Sequence, residues 1–177
     1  MAVLTRVARS GEVAELTALI NQSVRQLSAG YYTPAQVESA LRYVFGVDTQ
    51  LILDGTYYVA EIEGQVVGCG GWSRRATRYG GDQRKTAADP LLDPRRDAAR
   101  IRAFFVHPAW ARRGVGRAIM GVCEAAARQA GFRRLELAAT LPGEPLYTSL
   151  GYTVGERLAP LLPDGQTLPI AHMYKQF

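Results

Sequence analysis

The chain has 177 residues, of which 47% are hydrophobic and 21% are charged, and its formal net charge is +5. This length and composition suit one globular domain over residues 1–177, and no apolar run is long enough for a transmembrane helix. The positive charge favours an anionic ligand. The sequence has no long Lys/Arg tract and no interleaved aromatic ladder, so we expect no nucleic-acid surface.

The N-terminal segment Met1–Arg9 alternates apolar and polar residues, which predicts a first strand. It lacks the continuous apolar stretch and small-residue cleavage site of a signal peptide, so we expect a cytoplasmic protein. Cys69 and Cys123 each lie in an apolar segment without a CxxC motif or a Cys/His cluster. We therefore expect two buried free thiols and no metal site.

Two helices are predicted next. Ser10 is the predicted cap of the first helix, whose apolar residues recur at helical spacing. Thr33 is the predicted cap of the second helix, with Pro34 at the first helical position. Both helices have one apolar face.

A hairpin follows the two helices. The strands Thr56–Ile62 and Gln65–Ser73 are separated by Glu63-Gly64, which predicts a tight turn. Three glycines inside the second strand indicate close approach of another group, or a bend. The segment Ala76–Asp97 has Gly-Gly and Asp-Pro pairs and no clear periodicity, so we predict a long mobile loop. Loops of this length are usually functional lids or disordered segments.

The second half of the chain alternates strands and helices. An apolar strand ends before His107-Pro108, and an Arg/Gly-rich loop then leads into an amphipathic helix that ends at Gly131. The apolar strand before His107 is Ile101–Val106. The remaining predicted elements are the strand Leu135–Thr140, a short helix Pro145–Leu150, and the strands Tyr152–Leu158 and Ile170–Gln176.

The Arg/Gly-rich loop has the residues of an anion site. A helix start leaves backbone N–H groups unpaired and carries partial positive charge. Gly114 and Gly116 remove side chains that would keep a phosphate from those groups. Arg112, Arg113 and Arg117 add fixed charge and hydrogen-bond donors. The sequence therefore predicts a diphosphate site at this helix N-terminus.

Two known phosphate loops fit this segment poorly. A P-loop requires Lys and Ser/Thr after its last glycine, whereas Gly116 is followed by Arg117-Ala118. A dinucleotide fingerprint requires a third glycine at the position of Ile119. Glu136 has the spacing of a ribose-binding acid, but it lies early in its strand rather than at the far end. A dinucleotide-dependent oxidoreductase is therefore the weaker alternative.

A third loop type fits better. The segments Phe104–Pro108 and Trp110–Gly116, with the helix after them, resemble the central motif of the GNAT superfamily of N-acetyltransferases. That motif reads Gln/Arg-x-x-Gly-x-Gly/Ala and follows a strand ending in Val-x-Pro. The two glycines match, whereas Ala111 departs from the first motif position. Farther along, Glu144–Tyr152 is similar to the family's Tyr-x-x-x-Gly-aromatic segment, so the resemblance covers nearly the whole chain.

The resemblance implies an α/β (α+β) fold of the GNAT type. Its sheet is mixed, mostly antiparallel and twisted, with about six to seven strands, flanking helices and a splay between strands four and five. Acetyl-CoA is the implied cosubstrate, with its pantetheine arm in the splay and a bulge near Phe104-Phe105 aiming backbone groups at it. The implied cofactor-binding residues are Phe104, Phe105, Val106, Arg112, Arg113, Gly114, Val115, Gly116, Arg117, Thr140 and Tyr147.

The implied reaction is direct transfer of an acetyl group to a primary amine. In it, Tyr147 is the general acid that protonates the leaving thiolate. The family's base in the fourth strand is replaced here by Arg100, so Glu136 is the candidate base, and an arginine at this position also suits an acidic acceptor. The alternatives for the base are Glu61, Asp97, His172 and a chain of water molecules.

The expected partner is an amine acceptor, either a small molecule or a peptide. Tyr31, Tyr32 and Trp72–Arg78 lie where the family's acceptor pocket usually forms, with Ala76–Asp97 as a lid. The resemblance leaves a homodimer open, and we expect neither a nucleic-acid nor a membrane partner. A non-catalytic CoA-binding or regulatory module of the same fold is the other alternative.

Overall fold

The computed structural model describes residues 2–85, 87 and 89–177. The part of the predicted first strand at Met1, and Thr86 and Ala88 of the predicted loop, lie outside the described residues. The strands are β1 Leu4–Val7, β2 Tyr57–Ile62, β3 Gln65–Ser73, β4 Ala99–Val106, β5 Arg134–Thr140, β6 Thr153–Leu158 and β7 Ile170–Gln176. The helices are α1 Val13–Leu27, α2 Pro34–Tyr43, α3 Thr49–Leu53, α4 Val115–Gln129 and α5 Glu144–Ser149.

The strands form one sheet in the order β1-β2-β3-β4-β5-β7-β6. Every neighbouring pair is antiparallel except β4 and β5, which are parallel. These two central strands pair only at Ala99 with Leu135 and at Arg100 with Glu136, and then diverge. The predicted mixed sheet with a splay between strands four and five is confirmed.

Helices cover both faces of the sheet. Helices α1, α2 and α3 pack on one face, where Leu16, Ile20 and Leu51 are fully buried. Helix α4 packs on the other face through Ile119 and Cys123, and α5 lies at the edge of this second core. Among the described residues, no helix combines the length and the apolar character needed to cross a bilayer.

Of the two predicted helix caps, one is confirmed and one is wrong. The side-chain oxygen of Thr33 accepts the Gln36 N–H at 3.2 Å, and the Gln36 side chain accepts the Thr33 N–H at 3.0 Å, so the predicted cap is confirmed. The predicted Ser10 cap is wrong. Ser10 lies within a 3-10 turn, Ser10–Glu12, and Glu12 is the residue that precedes α1. The Glu12 carboxylate accepts the Arg9 N–H at the start of the turn.

The hairpin and its glycines agree with prediction. Glu63 and Gly64 both have positive φ, 52° and 80°, as a two-residue hairpin turn requires. A Cβ at Gly68 would lie 2.6 Å from Val115 Cγ1, and one at Gly70 would lie 2.5 Å from the Phe104 ring. The missing side chains therefore let α4 and an aromatic ring of β4 approach β3 closely.

The long segment Ala76–Asp97 is more structured than predicted. It contains a 3-10 turn at Asp82–Arg84, and its N-terminal half is bonded to the connection between α2 and α3. The Gly81 N–H donates to Val44 O at 2.8 Å, and the Asp82 carboxylate accepts the Thr49 N–H at 3.0 Å. These bonds tie the segment to the helical layer, which periodicity alone cannot reveal.

Candidate active site

A β-bulge lies at the point where β4 leaves β5. Cys69 of β3 pairs with Phe105 and Gly71 pairs with Arg102, so Ala103 and Phe104 together face the single residue between them on β3. Ala103 has a left-handed backbone, with φ of 52°. The predicted bulge is therefore present and begins one residue earlier than expected. Past the paired start of β4, backbone groups on its β5 side face a cleft instead of a strand.

Tyr57 supports this bulge from the hydrophobic core. Its side chain is fully buried in the core, and its hydroxyl donates a hydrogen bond of 2.9 Å to the Ala103 carbonyl. A carbonyl in a bulge has left the regular ladder and needs another donor. The sequence analysis missed this role, because a tyrosine in an apolar strand predicts only packing.

A cleft of about 470 Å³ opens on the α4 side of the splay. Arg113 is not among the residues that line it, and its guanidinium lies 5.2 Å from the centre of the Trp110 ring. All other predicted cofactor-binding residues line the cleft: Phe104, Phe105, Val106, Arg112, Gly114, Val115, Gly116, Arg117, Thr140 and Tyr147.

The N-terminus of α4 forms one end of this cleft. Gly114 caps the helix with φ of 85°, a conformation that glycine adopts without steric cost. The N–H of Ala118 makes the bond to the Gly114 carbonyl at 2.9 Å, so the three preceding N–H groups have no helical acceptor. A Cβ at Gly116 would lie 2.7 Å from Leu146 Cδ2. The residues present thus fit an anionic diphosphate at this end.

A second, smaller cavity of about 70 Å³ lies beside the bulge, toward the segment after β3. Two arginines, Arg78 and Arg102, line it together with backbone groups and apolar side chains. The two cavities meet at the splay, where the same side chains form the wall of both: Phe45, Phe104, Phe105, Thr140 and Tyr147.

Tyr147 lies in this shared wall with 8% of its surface exposed. Its ring makes edge contacts with Phe104 and Tyr152, at centroid distances of 6.3 and 6.1 Å. Burial raises the pKa of Tyr147 well above the usual tyrosine value, and the nearby Cys123 adds to the effect. The phenol is therefore held rigidly and stays protonated at neutral pH.

Glu136 belongs to a polar cluster at the paired end of β4 and β5. Its carboxylate is ion-paired with Arg100, and its other oxygen lies 3.2 Å from His172 Nε2. Burial lowers the pKa of His172, and the charges of Arg78 and Arg100 lower it further. Glu136 does not line either cavity, although it shares a sheet face with Thr140, which lines both.

A buried ion pair lies under the smaller cavity, and the sequence analysis did not identify it. Arg102 donates to Asp48 Oδ2 at 2.9 Å and to the Gly80 carbonyl at 2.6 Å. Asp48 is fully buried and also binds Lys85. The Nε atom of Arg102 is buried without a hydrogen-bond partner among the described residues. Such a side chain leaves only a weak sequence signal, an arginine in an otherwise apolar strand.

Most of the other predicted acceptor-site residues do not line the smaller cavity. The Tyr32 hydroxyl donates to Pro169 O at 2.6 Å and accepts the Leu141 N–H at 3.0 Å, which gives it a structural role. Trp72 is buried in the core, and Tyr31 is exposed. Of the predicted stretch Trp72–Arg78, only Arg78 lines the smaller cavity.

The alternative bases lie elsewhere as well. Glu61 binds Arg6, with atoms 2.5 Å apart, and Asp97 accepts the Asp93 N–H at 2.7 Å. Neither carboxylate lines either cavity. The described residues also contain no group of His, Cys, Asp and Glu side chains that could hold a metal ion.

Comparison with known proteins agrees with this geometry. Residues 53–154 match the family of acetyltransferase (GNAT) domains. Among solved structures, a GCN5-related N-acetyltransferase from Rhodopseudomonas palustris aligns with a TM-score of 0.74 and 21% identity over 100% of this chain and 97% of that chain. PaiA N-acetyltransferase from Thermoplasma acidophilum, in complex with coenzyme A, aligns with a TM-score of 0.68 and 12% identity over 100% of both chains.

A third solved structure is YncA from Salmonella typhimurium with its cofactor acetyl-CoA. It aligns with a TM-score of 0.65 and 20% identity over 99% of this chain and 94% of that chain. A search among curated proteins found no match. At these identities the solved structures bear on the fold alone, whereas the matched domain spans more than half of the sequence. The chain therefore belongs to the GNAT family of acetyltransferases.

Proposed function

We propose that this protein is an N-acetyltransferase that moves the acetyl group of acetyl-CoA directly to a primary amine. The observation that carries the proposal is the junction of two cavities at the β4 bulge, with Tyr147 in the wall of both. The larger cleft would hold the donor. The smaller cavity, called the amine cavity below, would hold the amine. In this arrangement the two substrates would lie on opposite sides of Tyr147, the proposed proton donor.

The larger cleft has a place for each part of acetyl-CoA. The free N–H groups at the start of α4 and the side chains of Arg112 and Arg117 would hold the diphosphate. The arm would run along the backbone of Phe104–Val106, where β4 no longer pairs with β5. When bound, acetyl-CoA supplies the thioester carbonyl. A backbone N–H next to the bulge would stabilise the charge that develops on its oxygen.

The proton movements involve two groups. The amine nitrogen bonds to the acetyl carbon while the carbon–sulfur bond breaks, and Tyr147 gives its proton to the departing thiolate. The proton lost by the amine would leave through water toward the Glu136–His172 pair, because neither residue lines the amine cavity. Glu136 is thus proposed as a base that receives the proton through water and not directly from the amine.

The test is a panel of amines with acetyl-CoA, with free thiol release as the readout. Tyr147→Phe should lower turnover by about a hundredfold, the lower end of what a general acid contributes. CoA binding, measured as thermal stabilisation by CoA, should stay nearly unchanged. The exposed Tyr174 provides the matched control, since Tyr174→Phe should retain full turnover.

Three outcomes would contradict parts of this proposal. Unchanged turnover in Tyr147→Phe would reject the acid role. Stabilisation by CoA without thiol release for any amine would identify a CoA-binding module instead of an enzyme. A rate that falls with increasing pH below pH ~10 through loss of the Tyr147 proton would contradict the raised pKa, because the usual tyrosine pKa is about 10.

A further inference from the structure

The charged side chains that line the amine cavity are all positive in the part of the chain that the structure describes. Among the described residues that line it, the charged ones are Arg78 and Arg102, and there is no carboxylate. A polyamine or another acceptor with additional positive charge would meet like charges here without a compensating acid. An acceptor that carries a negative group would be attracted.

Arg102 supplies buried positive charge that its neighbours do not cancel. Only 3% of its surface is exposed, and its acid partner, Asp48, is shared with Lys85. Two cations therefore share one carboxylate in a buried place. The Arg102 Nε atom is left without a partner among the described residues. A positive charge of this kind acts strongly on an adjacent cavity, because little water screens it.

Arg78 supplies a second positive charge at the cavity wall. It is exposed and forms no ion pair with any described residue. Its field reaches across the site, since it contributes to lowering the pKa values of Arg100 and His172. Asp48 pairs with Arg102 and Glu136 pairs with Arg100, both from outside the cavity. Two further acids act on these arginines without an ion pair, Asp89 on Arg102 and Asp97 on Arg100.

We infer that the acceptor is a small amine that carries a carboxylate, and that Arg78 binds this carboxylate in the field of Arg102. The inference rests on the proposed function and specifies its substrate class. The cavity volume of about 70 Å³ equals the space of about five water molecules, which suits an acceptor the size of an amino acid. Arginine is well suited to the task, because its guanidinium can bind a carboxylate through two hydrogen bonds.

The same charges help the chemistry. An ammonium group that enters a positive field is destabilised relative to the neutral amine, so its pKa falls. The neutral amine is the form that attacks the thioester. The positive field around the cavity therefore favours the nucleophile without a carboxylate base in contact with it.

The experiment compares acids with their uncharged amides. Glycine, β-alanine and γ-aminobutyrate are each assayed against the corresponding amide, with acetyl-CoA as donor and thiol release as readout. Diaminopropane and ethylamine complete the panel as a dication and a simple amine. At least one acid should have a kcat/KM about ten- to a hundredfold above that of its amide, the range of a charge-assisted hydrogen bond.

The matched variants are Arg78→Ala and Arg74→Ala. Arg74 is an exposed arginine of the same segment that lies over Trp72 and lines neither cavity. Arg78→Ala should remove the preference for the acid by raising the KM of the acid far more than that of the amide. Arg74→Ala should keep the preference. Thermal stabilisation by CoA checks that both variants fold.

The outcomes separate this inference from the proposed function. Turnover of amides, ethylamine or diaminopropane at rates equal to or above those of the acids overturns the inference and leaves the acetyltransferase proposal standing. A preference for the acid that survives in Arg78→Ala also overturns it. Absence of thiol release with every amine contradicts both proposals.

Discussion

Tyr57→Phe tests whether the bulge in β4 depends on one hydrogen bond. The substitution removes the hydroxyl that donates to the Ala103 carbonyl at 2.9 Å and leaves the ring in place. The hydroxyl end is sealed in the core, whereas Ala103 lines the amine cavity, where water can reach it. Partial rehydration places the cost at about 1–2 kcal/mol, in the lower part of the range for a lost buried partner.

That cost predicts a fall in Tm of about 2–8 °C for a domain of this size. The catalytic effect should separate from the effect on CoA binding. In the proposed mechanism the bulge aims backbone groups at the thioester, so turnover should fall about tenfold, the equivalent of about 1.4 kcal/mol. CoA affinity should change less, because the diphosphate end of the cleft is built by α4.

The assay pairs thermal unfolding with the thiol-release rate at saturating acetyl-CoA. Tyr31→Phe is the control, because Tyr31 is exposed and lies outside both cavities. A Tyr57→Phe enzyme with unchanged Tm and unchanged turnover would refute the reasoning. Loss of stability together with full turnover would show that the bulge holds without this bond.

Two further predictions concern the sheet and the thiols. Gly70→Ala should lower stability by about 1–3 kcal/mol and reduce activity, because the new Cβ would lie 2.5 Å from the Phe104 ring that packs on Tyr147, whereas Gly121→Ala in α4 should be neutral or stabilising, as its Cβ meets nothing within 4 Å. Chemical denaturation measures both, and equal stability of the two variants would contradict this packing. The thiols of Cys69 and Cys123 should not react with an aromatic disulfide reagent in the folded protein. Burial raises the pKa of Cys69 to about 12 and that of Cys123 well above its usual value, so both stay protonated. Rapid labelling of the native protein would show that one of them is accessible.

The sequence predicts those features of this fold that depend on neighbouring residues. The Thr33-Pro34 helix start, the Glu63-Gly64 turn and the α4 N-terminus each follow from the conformational preferences of a few adjacent positions. The short helix α3 was not predicted, because one turn of helix shows no periodicity. The Ser10 cap was predicted wrongly, since a 3-10 turn, Ser10–Glu12, precedes α1 and makes Glu12 the residue before its first turn.

The polar clusters were beyond sequence reasoning for a different reason. Arg100, Glu136 and His172 meet because three strands are in register, and no local pattern states that register. Asp48 and Arg102 lie far apart in sequence and meet where the start of α3 contacts β4. The α4 cleft was easier to predict, because most of the predicted residues that line it come from one strand–loop–helix unit.

The segment after β3 has a consequence for how new specificity can arise in this protein. It supplies Arg78 to the amine cavity, and it is attached to the helical layer through backbone bonds and through the Arg75–Asp54 and Lys85–Asp48 ion pairs. The side chain at position 78 does not line the α4 cleft. In the proposed mechanism, a substitution at position 78 can therefore alter the preference for the acceptor while every residue of the donor cleft stays the same.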